Sequence, residues 1–303
     1  MKVLVAGSTG AIGKPLVYNL LQAGQDVYGL SRSEASSQLL AAVGVKPLLV
    51  DVFERAALFS AVAHVRPDVV IDMLTALPKE YTPEAMRQCA QADARLRQEG
   101  GGNLQAAAEA CGVRRYIVQS SAFLYAPGKA LADESTPFAF EASPGISAVA
   151  NIYAEIERRV LQSPTLEGIA LRFGFFYGPG TWFNQDGDMV QQVRKKLFPI
   201  IGKGEGVWSF VHVGDAGKAA ADAVYVKPGA YNITNNRPSA MWEWLPAFAR
   251  YLGAPYPPNI DEEEGLKQFG PERVYYATCL RGASNAKAKG EFNFEPRTFE
   301  WLL

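Results

Sequence analysis

Apolar positions along the chain fall into two alternating rhythms. Short unbroken apolar runs, such as Val3-Leu4-Val5 and Val69-Val70-Ile71, are bounded by glycine or charge and read as buried strands. Between them lie longer stretches with apolar residues at helical spacing. The pattern predicts strands at 2–6, 26–32, 45–51, 68–74, 114–121 and 168–178. It predicts helices at 15–23, 34–43, 54–64, 83–110 (interrupted by Gly100, Gly101 and Gly102) and 147–162. Regular strand–helix alternation predicts an α/β fold, a doubly wound parallel sheet with helices on both faces. After Gly178 the rhythm weakens. A helix is expected near 186–197, a strand and helix over 207–224, a strand at AYNIT, and a helix at 241–253. Residues 255–270 read as a surface loop, and SNAKAKGEFNFEPR as a short terminal helix. Residues 1–172, with 207–229 returning to them, are therefore expected to form a nucleotide-binding sheet domain. Residues 173–206 and 230–303 are expected to form a smaller substrate domain across a cleft.

Composition narrows the possibilities. Of 303 residues, 48% are hydrophobic, enough to bury a sizeable core. Lys+Arg 30 against Asp+Glu 31 offers no basic patch for nucleic acid. No apolar run reaches membrane-spanning length, and a strand starting at residue 2 leaves no room for a signal peptide, so the expected location is the cytoplasm. Cys89, Cys111 and Cys279, widely spaced, with only His64 and His212, make neither a disulfide framework nor a metal site.

The first strand leads into Gly7, Ser8, Thr9, Gly10, Ala11, Ile12 and Gly13. Glycines at intervals of three turn the chain off the strand, let backbone approach a pyrophosphate, and let the next helix pack close to the sheet. The helix beginning here offers unpaired N–H groups and a positive dipole end to phosphate. The tip of the second strand reads the adenosine ribose. It carries Ser31 and Arg32 with no acid among Gly29–Ser33, and arginine accommodates a 2′-phosphate. The expected cofactor is NADP(H), with NAD as the alternative.

With these motifs in place, the sequence resembles the extended short-chain dehydrogenase/reductase family, of NAD-dependent epimerase/dehydratase type. GSTGAIG resembles its cofactor loop, QSSAFLY its SSxxxY segment and LRFGFFYGPG its LRPxxVYGPG segment. VWSFVHVGDAGKA is similar to its RDFVHVDDVAxA segment, and the terminal segment to NxKAKxELGWxPR. The resemblance implies a Rossmann domain, a nicotinamide dinucleotide and a small carbonyl or alcohol substrate. It places Asp51 and Val52 at the adenine, Leu74, Thr75 and Ala76 along the phosphate–ribose path, and Ser120, Phe173 and Phe176 among the cofactor-binding residues. Dimerisation through the 83–110 and 147–162 helices would match the family.

The family's catalytic groups are a serine or threonine and a Tyr-x-x-x-Lys pair. Ser121 resembles the serine. Matching YAEIERRVL to the family's KAEAERLVL puts Val149 where tyrosine belongs and Tyr153 where lysine belongs. Arg97 replaces the asparagine of the NVxGTxNL segment. Three readings stay open. One is an NADP-dependent oxidoreductase or epimerase-like enzyme whose acid is Tyr153 or Tyr125 beside Ser121. The second is a non-redox lyase or isomerase on the same fold. The third is a non-catalytic NADP-binding sensor. Phe173, Phe175, Phe176, Trp182, Phe183, Trp208 and His212 are expected to wall an aromatic cleft. Arg194, Lys195 and Lys196 read as a solvated helix face.

Overall fold

The computed structural model describes residues 1–292 and 294–302; Asn293, within the expected terminal helix segment, lies outside the described residues. Strands β1 (Lys2–Ala6), β2 (Asp26–Ser31), β3 (Lys46–Leu49), β4 (Val69–Asp72), β5 (Arg115–Ser121) and β6 (Glu167–Phe173), with the strand Gly229–Ile233, form one sheet. From one edge to the other the order is 229–233, β6, β5, β4, β1, β2, β3, with every pairing parallel. That is the doubly wound order, and it reverses direction between β1 and β4, where open α/β sheets bind ligands.

Two apolar cores cover the faces. One joins Val3, Val5, Leu16, Val27, Ile71 and Ile117 to Ala216 and Ala220 of the helix Val213–Asp222. The other joins Leu4, Val70, Tyr116 and Val118 to Leu58, Leu104, Ile156 and Val160. β5 is buried along its whole length, as a central strand covered on both faces must be. A third, aromatic-rich core holds Phe175, Phe183, Trp208, Phe210, Trp244, Phe248 and Trp301.

Three sequence expectations are corrected. The glycine triplet does not interrupt the long helix. α4 (Pro83–Arg95) runs through a π-helical turn, Leu96–Gly100, into α5 (Gly101–Ala110). The glycines serve close packing: a Cβ on Gly100 would stand 2.8 Å from the Val52 side chain, and one on Gly101 2.8 Å from the Asp72 carboxylate. Second, Gly229–Ile233 pairs with β6, and Ala288 and Phe294 join the sheet core, so segments assigned to the smaller domain complete the larger one. Third, residues 255–270 are not all loop. Glu262–Phe269 is helical, started by the Asp261 carboxylate accepting the Glu264 N–H at 2.8 Å. An unforeseen helix, Pro271–Thr278, follows.

Candidate functional site

The β1–β4 crevice holds the glycine loop. Pairing of Ala6 with Asp72 sets Gly7 beside Met73 at the ends of neighbouring strands. Gly7 has φ +79°, and a Cβ there would stand 2.5 Å from the Met73 carbonyl oxygen. At Gly13, the first residue of α1 (Gly13–Gln22), a Cβ would overlap the Gly7 carbonyl and lie 2.6 Å from the Ser8 carbonyl carbon. Gly10 donates its N–H to the Gly7 oxygen at 3.0 Å, and it and Thr9 face solvent. Ser8 turns inward, its hydroxyl 3.4 Å from the Leu30 carbonyl; Ile12 is buried, and Ala11 packs below Gly180. The cradle therefore has the shape a dinucleotide pyrophosphate requires: open glycine backbone at a helix N-terminus.

Around this cradle the expected residues divide. Arg32 is exposed at the end of β2, and among the described residues no carboxylate lies within ion-pair distance of it. Ser31 is buried, its hydroxyl 2.6 Å from that of Ser37. Asp51 accepts the Phe53 N–H at 3.0 Å; Val52 is buried against Gly100. The loop after β4 is pinned by Asp93, which accepts the Ala76 N–H at 2.6 Å and the Thr75 hydroxyl at 3.2 Å. Leu74 donates its N–H to Asp72, 3.0 Å away.

At the reaction end, Ser121 closes β5 and accepts the Phe123 N–H at 3.3 Å. Phe123 stacks on Phe175 at 4.2 Å, and Tyr276 meets both edge-on at 6.4 and 5.9 Å. Phe176 is half-buried, 5.4 Å from the buried Phe173 ring. On α6 (Pro144–Leu161), Val149 does not join the buried stripe but is 39% exposed. Tyr153 is buried under the guanidinium of Arg97, 5.0 Å from its ring centre, and Asp93 holds Arg97 at 2.7 Å. The β4 loop, Asp93, Arg97 and Tyr153 thus form one connected support. Burial raises the Tyr153 phenol above its ordinary value, and Arg97 only partly opposes this.

Two expected site residues are engaged elsewhere. The Ser120 hydroxyl donates to Glu157 at 2.5 Å, inside the helix–sheet interface. Tyr125 is 1% exposed, donates to Asn232 at 2.5 Å and accepts from Arg172 at 2.9 Å. Burial pushes its phenol up to about 12. Both are drawn inward by the buried Arg172–Glu157 pair, which holds the Tyr125 hydroxyl in the fold. Of the expected walls, Phe175, Phe183 and Trp208 join the aromatic core, while Trp182 lies tilted against Tyr81 at 4.7 Å and donates to the Pro78 carbonyl. His212 caps its helix by accepting the Gly214 N–H at 3.0 Å. Arg194, Lys195 and Lys196 are exposed, as expected of a solvated face. Among the described residues no group of three metal-ligating side chains forms, and no helix is long and apolar enough to cross a membrane.

Sequence reasoning missed Tyr81, Arg273 and Tyr276. Tyr81 lies in a loop, and the other two lie on the unforeseen helix. That helix has only eight residues, too few for a periodic signal.

Relatives agree with this architecture. A 3-diazoavenalumate denitrifying reductase of a Streptomyces species is 39% identical over 99% of this chain and 98% of its own. A 4-hydroxy-2-methyl-3-oxo-4-farnesyl-3,4-dihydroquinoline-1-oxide ketoreductase of Stigmatella aurantiaca is 26% identical over 81% of this chain and 71% of its own. Among solved structures, UDP-glucose 4-epimerase of Thermus thermophilus in complex with NAD shares the fold at TM-score 0.71 and 22% identity, covering 99% of this chain and 95% of that one. DesIV, a dTDP-glucose 4,6-dehydratase of Streptomyces venezuelae, does so at TM-score 0.75 and 18% identity, covering 99% and 93%. Residues 3–234 match the NAD dependent epimerase/dehydratase family, and the chain, an NAD(P)-dependent enzyme of oxidoreductase or epimerase type, belongs to that family.

Proposed function

We propose that this protein is an NADPH-dependent reductase that replaces a diazonium group on an aromatic acid by hydrogen. The carrying observation is the helix face where the family's tyrosine is expected. It presents Val149, while the neighbouring phenol of Tyr153 is buried beneath Arg97 and shifted upward. Reducing a ketone needs a proton for the new alkoxide, and a general acid there is worth about 10²–10⁴ in rate. Exchanging an aryl diazonium for hydrogen needs none: one carbon–nitrogen bond breaks, one carbon–hydrogen bond forms, and the leaving group is N2. The cofactor, when bound, supplies the hydride. The chain's residues hold and shield the substrate. Phe123, Phe175 and Tyr276 form an aromatic wall beside Ser121, and Ser121 sets the end of β5. The diazo relative, similar along the whole chain, supports this reading. The ketoreductase relative makes carbonyl reduction the competitor.

The test follows NADPH absorbance with a 3-diazo-4-hydroxyaryl acid and with an aromatic ketone. Consumption with the diazo acid, accompanied by one N2 per NADPH, is the expected result. Oxidation with the ketone alone would replace this reading by a ketoreductase. NADPH binding with no consumption on either would favour a sensor.

Tyr153→Phe should lower kcat on the diazo acid by no more than about threefold, since no proton is routed through it. A loss of about a hundredfold or more would make Tyr153 the acid after all. Arg32→Glu should weaken NADPH by roughly 10–100-fold, the scale of one charge-assisted phosphate contact, and leave NADH within about threefold. Equal losses for both cofactors in paired titrations would remove Arg32 as the reader of the 2′-phosphate.

A further inference from the structure

Asp93, near the end of α4, joins three parts of the molecule. One carboxylate oxygen accepts the Ala76 N–H at 2.6 Å and the Thr75 hydroxyl at 3.2 Å. The other accepts Arg97 Nε at 2.7 Å, one helical turn further on. Arg97 in turn lies over the Tyr153 ring of α6. The Asp93 and Arg97 side chains are only 17 and 6% exposed. A buried ion pair is weak evidence for stability, because desolvation offsets most of its attraction. What this pair does fix is position: it ties the loop after β4 to Tyr153 on the helix beside it.

That loop occupies a definite place along the crevice. The strands stand in the order β2, β1, β4, β5, about 4.8 Å apart. Their ends carry, in the same order, Arg32, the glycine loop, residues 74–76 and Ser121. The close approach of Gly7 to Met73 seats the start of the loop against the cradle. A dinucleotide with its 2′-phosphate at Arg32 and its pyrophosphate on the glycine loop passes residues 74–76 with its nicotinamide half on the way to Ser121. The rest of the loop is fastened independently. Asp72 accepts the Leu74 N–H, Asp188 accepts the Tyr81 N–H at 2.8 Å, and Trp182 donates to the Pro78 carbonyl. Loss of the Asp93 carboxylate therefore releases Thr75 and Ala76 and leaves both ends of the loop in place.

We infer that Asp93 is a positioning residue, which through Thr75 and Ala76 holds the loop after β4 against the nicotinamide half of the cofactor and leaves the adenosine half untouched. This rests on the NADPH reading and is independent of which group that cofactor reduces.

The test is calorimetry with NADPH and with adenosine 2′,5′-bisphosphate, which carries the 2′-phosphate end and no nicotinamide. Wild type should bind both. Asp93→Ala should weaken NADPH about tenfold or more, the scale of one hydrogen bond to a charged group, and leave the bisphosphate within about twofold. A purely structural role would weaken both alike or neither. Because Asp93→Ala also strands the Arg97 charge, two double variants remove that charge: Asp93→Ala with Arg97→Met, and Asp93→Asn with Arg97→Met. The first should repeat the selective loss. The second keeps an oxygen for the Ala76 N–H and should return NADPH to within about threefold of wild type. Equal losses for the two ligands, no loss for either, or no rescue by asparagine would overturn the inference. Wild type that binds neither ligand would sink the cofactor reading and this one with it. Wild type that binds both, with an unchanged ratio in the variants, would sink this one alone.

Discussion

Arg172→Met is expected to cost about 3–5 kcal/mol of folding stability, the penalty for stranding a buried charge. Arg172 leaves β6 and meets Glu157 of α6 through two bonds, at 2.8 and 2.6 Å. It also donates to the Tyr125 hydroxyl at 2.9 Å and the Glu134 carbonyl at 3.0 Å. Glu157 is 4% exposed, and Ser120 is its other hydrogen-bond partner. Deleting the arginine leaves that carboxylate in a dry interface. Arg172→Met combined with Glu157→Leu should regain most of the loss, because an apolar pair of similar volume replaces the ions. Urea unfolding at unchanged slope reads both. A single-variant loss under about 1 kcal/mol would place the pair with surface ion pairs, which matter little. The same arrangement explains the fate of Tyr125. A tyrosine four residues after Ser121 fits the family motif, yet the arginine opposite it fixes its hydroxyl in the fold.

How far the sequence could be read depended on whether a signal was local. The glycine loop, the strand runs and the long helices are local patterns, and they stand where expected within a few residues. Alternation announced the parallel sheet but not its strand order, so the switch between β1 and β4 appears only in the structure. Side-chain direction did not. Ser120 and Ser121 are neighbours on one strand, so they face opposite ways. The motif admits both, but only Glu157 on the covering helix shows that Ser120 belongs to the interface. Ser31 is similar: its hydroxyl meets that of Ser37, a partner the sequence does not reveal. The glycine triplet misled because glycine inside a helix is read as a break. Here Val52 and Asp72 stand 2.8 Å from where a Cβ on Gly100 or Gly101 would lie, while at Gly102 the nearest atom, on the tip of Arg159, is 3.3 Å away. Arg273 carried no signal at all, since its burial against the Phe198 ring is visible only in the fold.

The second large effect separates the shape of the cradle from its occupancy. Gly13→Ala puts a methyl group against the Gly7 and Ser8 backbone, which cannot swing aside as a side chain could. Stability should fall by about 1–3 kcal/mol, as for other overpacked positions. The loop must also shift off the helix end, so NADPH should bind at least about tenfold more weakly. Gly10→Ala differs. Its Cβ would stand 3.2 Å from the Gly7 oxygen, with no other neighbour within 4 Å, on the open side of the loop. Stability should change by less than about 0.5 kcal/mol, as at other surface positions. NADPH affinity should still fall about tenfold or more, because the methyl occupies the surface where pyrophosphate meets backbone. Thermal unfolding with and without NADPH measures both quantities in one experiment, since ligand stabilisation follows its dissociation constant. Gly10→Ala with wild-type affinity would mean that the pyrophosphate rests elsewhere, and the cofactor assignment would lose its structural basis.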